Sequence, residues 1–191
     1  VFHRVLNRNL PRAVRAKGVW IEDADGRRYL DGAGGAIVVG VGHGDRTLVD
    51  AMAEQSARTS YVHATAFTTD ALESYADAVA PLLPMDDPRI YPVSGGSEAV
   101  ETAIKLARAF HLARGEASRT LVVGRRSSYH GNTLAALDAG GKQALRRPYE
   151  PWLGRFQHVD AAYEFRCANP GHPAGCGAWH AERLERAISE A

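Results

Sequence analysis

Tyr91-Pro92-Val93-Ser94-Gly95-Gly96-Ser97-Glu98-Ala99-Val100-Glu101-Thr102-Ala103-Ile104-Lys105-Leu106-Ala107-Arg108 is the stretch from which the fold is read. It predicts a short strand over Arg89 to Val93, a glycine turn, and a long amphipathic helix. Val100, Ala103, Ile104, Ala107 and Phe110 recur at helical spacing, so one helix face is expected to be buried. Ser94 or Ser97 is expected to cap the first turn, and Glu98 and Glu101 favour the positive end of the macrodipole. Gly95 and Gly96 let the backbone turn tightly and present its N–H groups. Free N–H groups at a helix N-terminus suit a phosphate. The stretch lacks GxGxxG and lacks a Gly-Lys-Ser/Thr, so it is neither a dinucleotide fingerprint nor a Walker loop. A mononucleotide or a phosphorylated cofactor fits it better.

Outward from this stretch, Gly115 stops the helix, and Thr120-Leu121-Val122-Val123-Gly124 reads as a buried parallel strand. The order strand, helix, strand is an α/β unit whose ligand sits beyond the strand carboxyl ends. Ser127-Ser128-Tyr129-His130-Gly131-Asn132-Thr133 follows the second strand, at the same sheet edge as Gly95-Gly96. Tyr129 is placed either to stack on a flat ring whose phosphate lies at Gly96-Ser97, or simply as a loop tyrosine.

Upstream, residues 1–17 are basic and irregular and read as a surface arm. Gly18 to Asp23 alternates as a strand, Asp25-Gly26 is a hairpin signal, and Arg27 to Asp31 is the return strand. Gly32 to Gly44 is a glycine-rich loop around Ile37-Val38-Val39. His43, a lone histidine beside a helix start, is read as structural. A helix follows over Arg46 to Ser60. Thr69-Asp70 caps another, with Leu72, Tyr75, Ala76, Val79, Leu82 and Leu83 on its buried face and Pro81 and Pro84 at its end.

Downstream, Arg155 to Val159 reads as a strand, and a helix begins at Ala178 with Leu184, Ala187 and Ile188 on one face. Between them Cys167, His172, Cys176 and His180 are four possible zinc ligands in one loop. Their spacing matches no common zinc signature and contains no Cys-x-x-Cys, so the loop is read as an ordinary proline- and glycine-shaped turn and no metal is assigned.

The chain has 191 residues and a formal net charge of +1, so its overall charge draws it to neither nucleic acid nor membrane. Arg119 to Arg155 is locally basic, including Arg146, but has few interleaved aromatics and reads as a solvated surface. No apolar run is long enough to cross a bilayer, and two cysteines make no disulfide framework. A cytoplasmic protein is expected. The absent initiator Met and the end at Ser189-Glu190-Ala191 suggest a piece of something longer.

Five motifs in order now carry a resemblance. They are Gly18-Val19-Trp20 with Asp23-Ala24-Asp25-Gly26, then Tyr29-Leu30-Asp31, then Gly42-His43-Gly44, then Ser94 to Glu101 with Ala103-Ile104-Lys105, and finally Tyr129-His130-Gly131-Asn132-Thr133. Together they resemble the N-terminal part of a class III aminotransferase, a pyridoxal-phosphate enzyme of fold type I. The resemblance implies a partial fold type I α/β architecture. A small N-terminal α+β segment, residues 1–66, would precede the start of a mainly parallel-sheet large domain, residues 67–191. It implies Gly96, Ser97, Tyr129 and His130 as positions that bind pyridoxal 5'-phosphate, with Gly96 and Ser97 at the phosphate and Tyr129 on the ring. It implies a glycine-rich substrate side from Gly34 to Gly42, roomy at Gly34 and Gly35.

The family's aldimine lysine and pyridine-pairing aspartate come later than Ala191, and none of Lys17, Lys105 and Lys142 matches the former. The catalytic residues are therefore unassigned, and these 191 residues alone are expected to be inactive. The resemblance further implies a homodimer acting on a small amino donor and a keto acid or aldehyde. The alternatives are a degenerate, non-enzymatic binding module and a zinc-loop protein.

Overall fold

A computed structural model describes His3 and residues 6–190. The part of the expected N-terminal arm at residues 1, 2, 4 and 5, and the final residue, lie outside the described residues. Two compact units, Val1–Arg89 and Ile90–Ala191, divide the chain.

The first unit is built on a three-stranded antiparallel sheet in the order β1 (Ala13–Lys17), β2 (Trp20–Asp23), β3 (Arg28–Leu30). The hairpin signal is confirmed: Trp20 pairs with Leu30, Ile21 with Tyr29 and Glu22 with Arg28. Asp23 fixes the turn. One of its carboxylate oxygens accepts the N–H groups of Asp25 and Arg27, and the other accepts the Tyr29 hydroxyl at 2.7 Å. Ala13 to Lys17, expected as irregular arm, instead pairs with β2 through a bulge between Ala13 and Arg15. Ala13-Val14-Arg15-Ala16-Lys17 has no clean apolar-polar alternation, so the sequence did not reveal this edge strand.

The glycine-rich segment forms α1 (Gly34–Ile37), a left-handed turn with positive φ at Gly34, Gly35, Ala36 and Ile37. Asp31 holds the turn, accepting the Gly35 N–H at 3.1 Å and lying 2.9 Å from His43 Nε2. His43, read as structural, is tied to this turn through its ring. Its backbone also exchanges two hydrogen bonds with Gly18. The predicted helices follow as α2 (Arg46–Arg58), capped by Asp45, and α3 (Asp70–Val79), capped by Thr69. A 3-10 turn over Ala80–Leu82 carries Pro81 and ends the second. The face expected to be buried on α3 is not: Tyr75 and Leu82 are exposed and Leu72, Ala76, Val79 and Leu83 are only half-buried.

In the second unit α4 (Gly96–Ala113) is the long helix. Gly115 adopts a positive φ just past its end, as the stop signal predicts. The segment Arg89 to Val93 carries no strand, because the ladder partner that would define one is missing among the described residues. The expected pairing of that segment with Thr120–Gly124 is therefore absent among the described residues, and the second strand, β4 (Val123–Arg125), instead lies parallel to the other predicted strand, β5 (Gln157–Val159). The crossover between them holds α5 (Leu134–Ala139), α6 (Gln143–Arg146) and a 3-10 segment, Arg147–Trp152. A 3-10 turn, Glu164–Arg166, precedes α7 (Cys176–Ser189), which starts two residues before the predicted helix.

The buried apolar core among the described residues is small and sits on α5, at Ala136, Leu137 and Ala139. Ala103, Ala107 and Phe110 of α4 are exposed, contrary to the burial its periodicity predicts. Periodicity identifies a face that needs a partner; it does not supply one.

Candidate functional site

The helix α4 begins at Gly96 with Gly95 as its N-cap, and no side chain caps it. The predicted serine cap is therefore absent. The first backbone N–H to return to the chain is that of Ala99, bonded to Gly95 O. The N–H groups of Gly96, Ser97 and Glu98 are left without intrahelical acceptors at the positive end of an 18-residue helix. An uncapped start of this kind has the hydrogen-bonding capacity and the field that a phosphate monoester requires.

Ser97 does something else. Its hydroxyl donates to Asn132 Oδ1 at 3.0 Å and accepts the Asn132 backbone N–H at 3.1 Å. This reciprocal pair fastens the loop after β4 to the first turn of α4. The fit is tight enough to demand glycine at position 131. That residue has φ 141°, and a Cβ there would meet Ser97 Oγ at 2.6 Å and Ser97 Cα at 2.9 Å. Glu101 makes a second tie. It does not serve the α4 macrodipole as expected; its Oε1 accepts the N–H groups of Ala135 and Ala136, at 3.1 and 3.3 Å. It thereby caps α5, whose own N-cap, Thr133, makes no side-chain capping bond. The Thr133 hydroxyl is buried without a partner.

These ties bring the two predicted loops together. Gly96 and Ser97 stand at the start of α4, and Tyr129 and His130 stand on the loop fastened to it. Tyr129 is 58% exposed, which leaves ring surface for a planar group, and Lys142 Nζ lies 5.5 Å from its centroid. His130 is exposed. A groove of about 430 Å³ runs beside the helix start, lined by Tyr91, Ser94, Glu98, Thr102 and Lys105 among others.

Beneath the site, Asp138 is a residue the sequence did not single out. It is buried, and its carboxylate accepts from Gly154, Arg155 and Phe156 N–H groups and from Arg146 Nη2 at 3.1 Å. Burial pushes its pKa up, but the Gly154 and Arg155 N–H groups and the Arg146 guanidinium outweigh that and hold it below the ordinary range. Arg146 also donates to the carbonyls of Leu137, Asp138 and Gly140. Its place in a solvated basic surface is thereby corrected: its side chain is 11% exposed. A single acid inside Leu134-Ala135-Ala136-Leu137-Asp138-Ala139-Gly140-Gly141 was the available signal, since an acid in so apolar a run needs a buried partner.

In the first unit a concavity of about 790 Å³ lies along β1 and β2. The helix start it reaches, that of α2, is capped by the Asp45 carboxylate. It offers no anion site comparable to that of α4.

The sequence model described as aminotransferase class-III matches residues 4–191. An uncharacterized aminotransferase of Schizosaccharomyces pombe is 38% identical over 176 residues, 90% of this chain and 38% of that protein. The putrescine–pyruvate aminotransferase of Pseudomonas aeruginosa is 29% identical over 190 residues, 98% of this chain and 42% of its own length. Among solved structures, an (S)-enantioselective omega-transaminase from Thermomicrobium roseum superposes with a TM-score of 0.90 at 32% identity, covering 99% of this chain and 44% of that one. A pyridoxal-phosphate-bound amine transaminase from an uncultivated Pseudomonas species superposes with a TM-score of 0.88 at 28% identity, covering 98% and 44%. The chain thus spans about two fifths of the length of the relatives it matches.

Proposed function

Because this chain belongs to the class III aminotransferase family and has part of its fold type I architecture, we propose that it supplies the phosphate and ring grip for pyridoxal 5'-phosphate in a transaminase. The observation that carries the reading is the uncapped start of α4 fastened by Ser97–Asn132 to the loop bearing Tyr129. The cofactor supplies the electron sink through which an amino group leaves a donor and reaches a keto acid or aldehyde. The chain's own residues bind and orient. Gly96 and Ser97 N–H groups take the phosphate, Tyr129 packs on the ring, and His130 stands beside it. The Asp138–Arg146 network keeps the loop's footing rigid, which is what positioning at the reacting centre needs.

Three further assignments belong to the same proposal. Residues 1–66 go to a small domain and 67–191 to a large one. The working protein is a homodimer, and it resides in the cytoplasm. No described helix is long and apolar enough to cross a membrane.

The test is made on the natural full-length product. Purified with pyridoxal 5'-phosphate, it should hold the cofactor and transfer amino groups from an amine donor to pyruvate. Tyr129→Ala should weaken cofactor binding by about 3- to 10-fold, the worth of one aromatic stacking contact. Unchanged cofactor affinity in that variant would remove Tyr129 from the site.

A further inference from the structure

The sequence leaves Cys167, His172, Cys176 and His180 as a turn without a role, and the fold brings them together. Cys176 and His180 lie four residues apart on α7, so both project from one helical face. Cys167 and His172 come from the loop that leads into the helix. Cys167 Sγ lies 3.5 Å from Cys176 Sγ, His172 Nδ1 lies 3.2 Å from Cys176 Sγ, and His180 Nε2 lies 3.4 Å from Cys167 Sγ. The two sulfurs and a His172 ring nitrogen are all within 4.8 Å of one another, and His180 stands outside that cluster, beside Cys167.

We propose that the cluster of Cys167, His172 and Cys176 binds a zinc ion, that His180 turns in from beside Cys167 as the fourth ligand, and that the resulting tetrahedral site pins the loop to the first turn of α7. Zinc–sulfur bonds of about 2.3 Å and zinc–nitrogen bonds of about 2.0–2.1 Å give tetrahedral edges of about 3.8 Å for S···S and about 3.6 Å for S···N. The three observed separations are each within about 0.4 Å of those edges. Both cysteines are free thiols, so both sulfurs are available to a metal. Binding is balanced: each thiol releases a proton, and the two thiolates and two neutral imidazoles meet one zinc(II) ion to give a neutral centre. Two sulfur and two imidazole donors in this geometry favour zinc over the oxygen-seeking cations.

The surroundings fit a metal centre as well. Asn169 is buried and reaches both sulfurs: its backbone N–H points at Cys167 Sγ and its Nδ2 at Cys176 Sγ, each at 3.5 Å. Its side-chain carbonyl accepts the Gly171 N–H, and Nδ2 also donates to Ala174 O, so the amide is held in place. Such outer contacts orient ligands and tune the metal. Beyond the site, α7 is tied to the strand pair through Asp160, which bonds Arg183 of the helix at 3.2 Å and Arg126 beside β4 at 3.0 Å. With four protein ligands no coordination position stays open, so the ion is structural and takes no part in catalysis.

The test needs neither cofactor nor turnover, so its outcome is independent of the aminotransferase reading. The natural full-length product is expressed with added zinc, purified in reducing buffer, and analysed for metal. One equivalent per chain is expected, released when a mercurial blocks the thiols. Cobalt(II) loaded into the demetallated protein should show the intense visible bands of a tetrahedral ion with thiolate charge transfer. Cys167→Ser and His172→Ala should each weaken zinc binding by more than about 100-fold, and Asn169→Ala by about 10- to 100-fold. Zinc below a tenth of an equivalent overturns the proposal, as does a Cys167–Cys176 disulfide in the reduced preparation. Stoichiometric zinc retained in both Cys167→Ser and Cys176→Ser, or an octahedral cobalt spectrum, overturns it equally. These spectra are read on the unsubstituted protein, so a variant that fails to fold leaves the test intact.

Discussion

Two carboxylates, Asp138 and Asp31, hold loops in place and predict acid sensitivity. Burial raises the pKa of Asp138, but the Gly154 and Arg155 N–H groups and Arg146 outweigh it and keep the carboxyl below the ordinary aspartate range. Asp31 is lowered first by His43 and then by the Gly35 N–H. A depressed folded-state pKa contributes stability above the unfolded value, about 3.9 for aspartate, and that contribution is lost as pH falls through the folded value. Stability should therefore be flat through neutral pH on this account and fall below about pH 4, as followed by denaturant midpoints across a pH series. Asp138→Asn should cost about 2–3 kcal/mol, since it strands a buried guanidinium and weakens three backbone bonds. Urea unfolding of the full-length product measures this, and a change below about 0.5 kcal/mol would contradict the buried-pair account.

The elements divide into those stabilised locally and those that need neighbours. Thr69 accepts the Leu72 N–H at 3.2 Å, and Thr69→Ala should cost about 1 kcal/mol through α3 alone. The left-handed turn of α1 makes the opposite prediction. Ile37 sits at φ 70° with its side chain almost fully exposed, so its β-branch is strained and buries nothing. Ile37→Gly should relieve about 1–2 kcal/mol of strain and give back part of that as chain entropy, for a net gain of about 0.5–1 kcal/mol. A raised denaturation midpoint with unchanged slope is the signature to look for. In the second unit the decisive element is the loop between β4 and α5. Gly131→Ala would drive a methyl into Ser97 and part the loop from α4. It should weaken cofactor binding more than Tyr129→Ala does, because it moves the whole ring-side loop instead of one ring.

At the scale of the whole chain, exposed surface outweighs core. The accessible area is 15543 Å² for 20.6 kDa. Two separate compact bodies of half that mass would expose only about 11,000 Å² together. Leu106 and Phe110 on α4 and Met52 on α2 lie among many exposed large apolar side chains, so these helices present apolar faces without a partner among the described residues of their own units. A protein made of these residues alone should bind a hydrophobic dye, unfold without a cooperative transition, and show no transamination with added cofactor. A sharp thermal transition would overturn that expectation.

The sequence alone determined the local plan: the β2–β3 hairpin, the helix starts at Arg46 and Thr69-Asp70, the glycine turn into α4, strands near β4 and β5, and the family. Those follow from capping chemistry, turn residues and periodicity, which act over a few neighbouring positions. The edge strand β1 lacked the alternation that would have revealed it. Arg89 to Val93 had strand composition without a ladder partner. Tertiary structure alone decided that β4 pairs with β5, that Ser97 grips Asn132, that Glu101 caps a different helix, that Asp138 and Arg146 are buried together, and that Cys167, His172 and Cys176 converge. Each depends on residues distant in sequence meeting at hydrogen-bonding range, a distance that is set only when the backbone between them has folded.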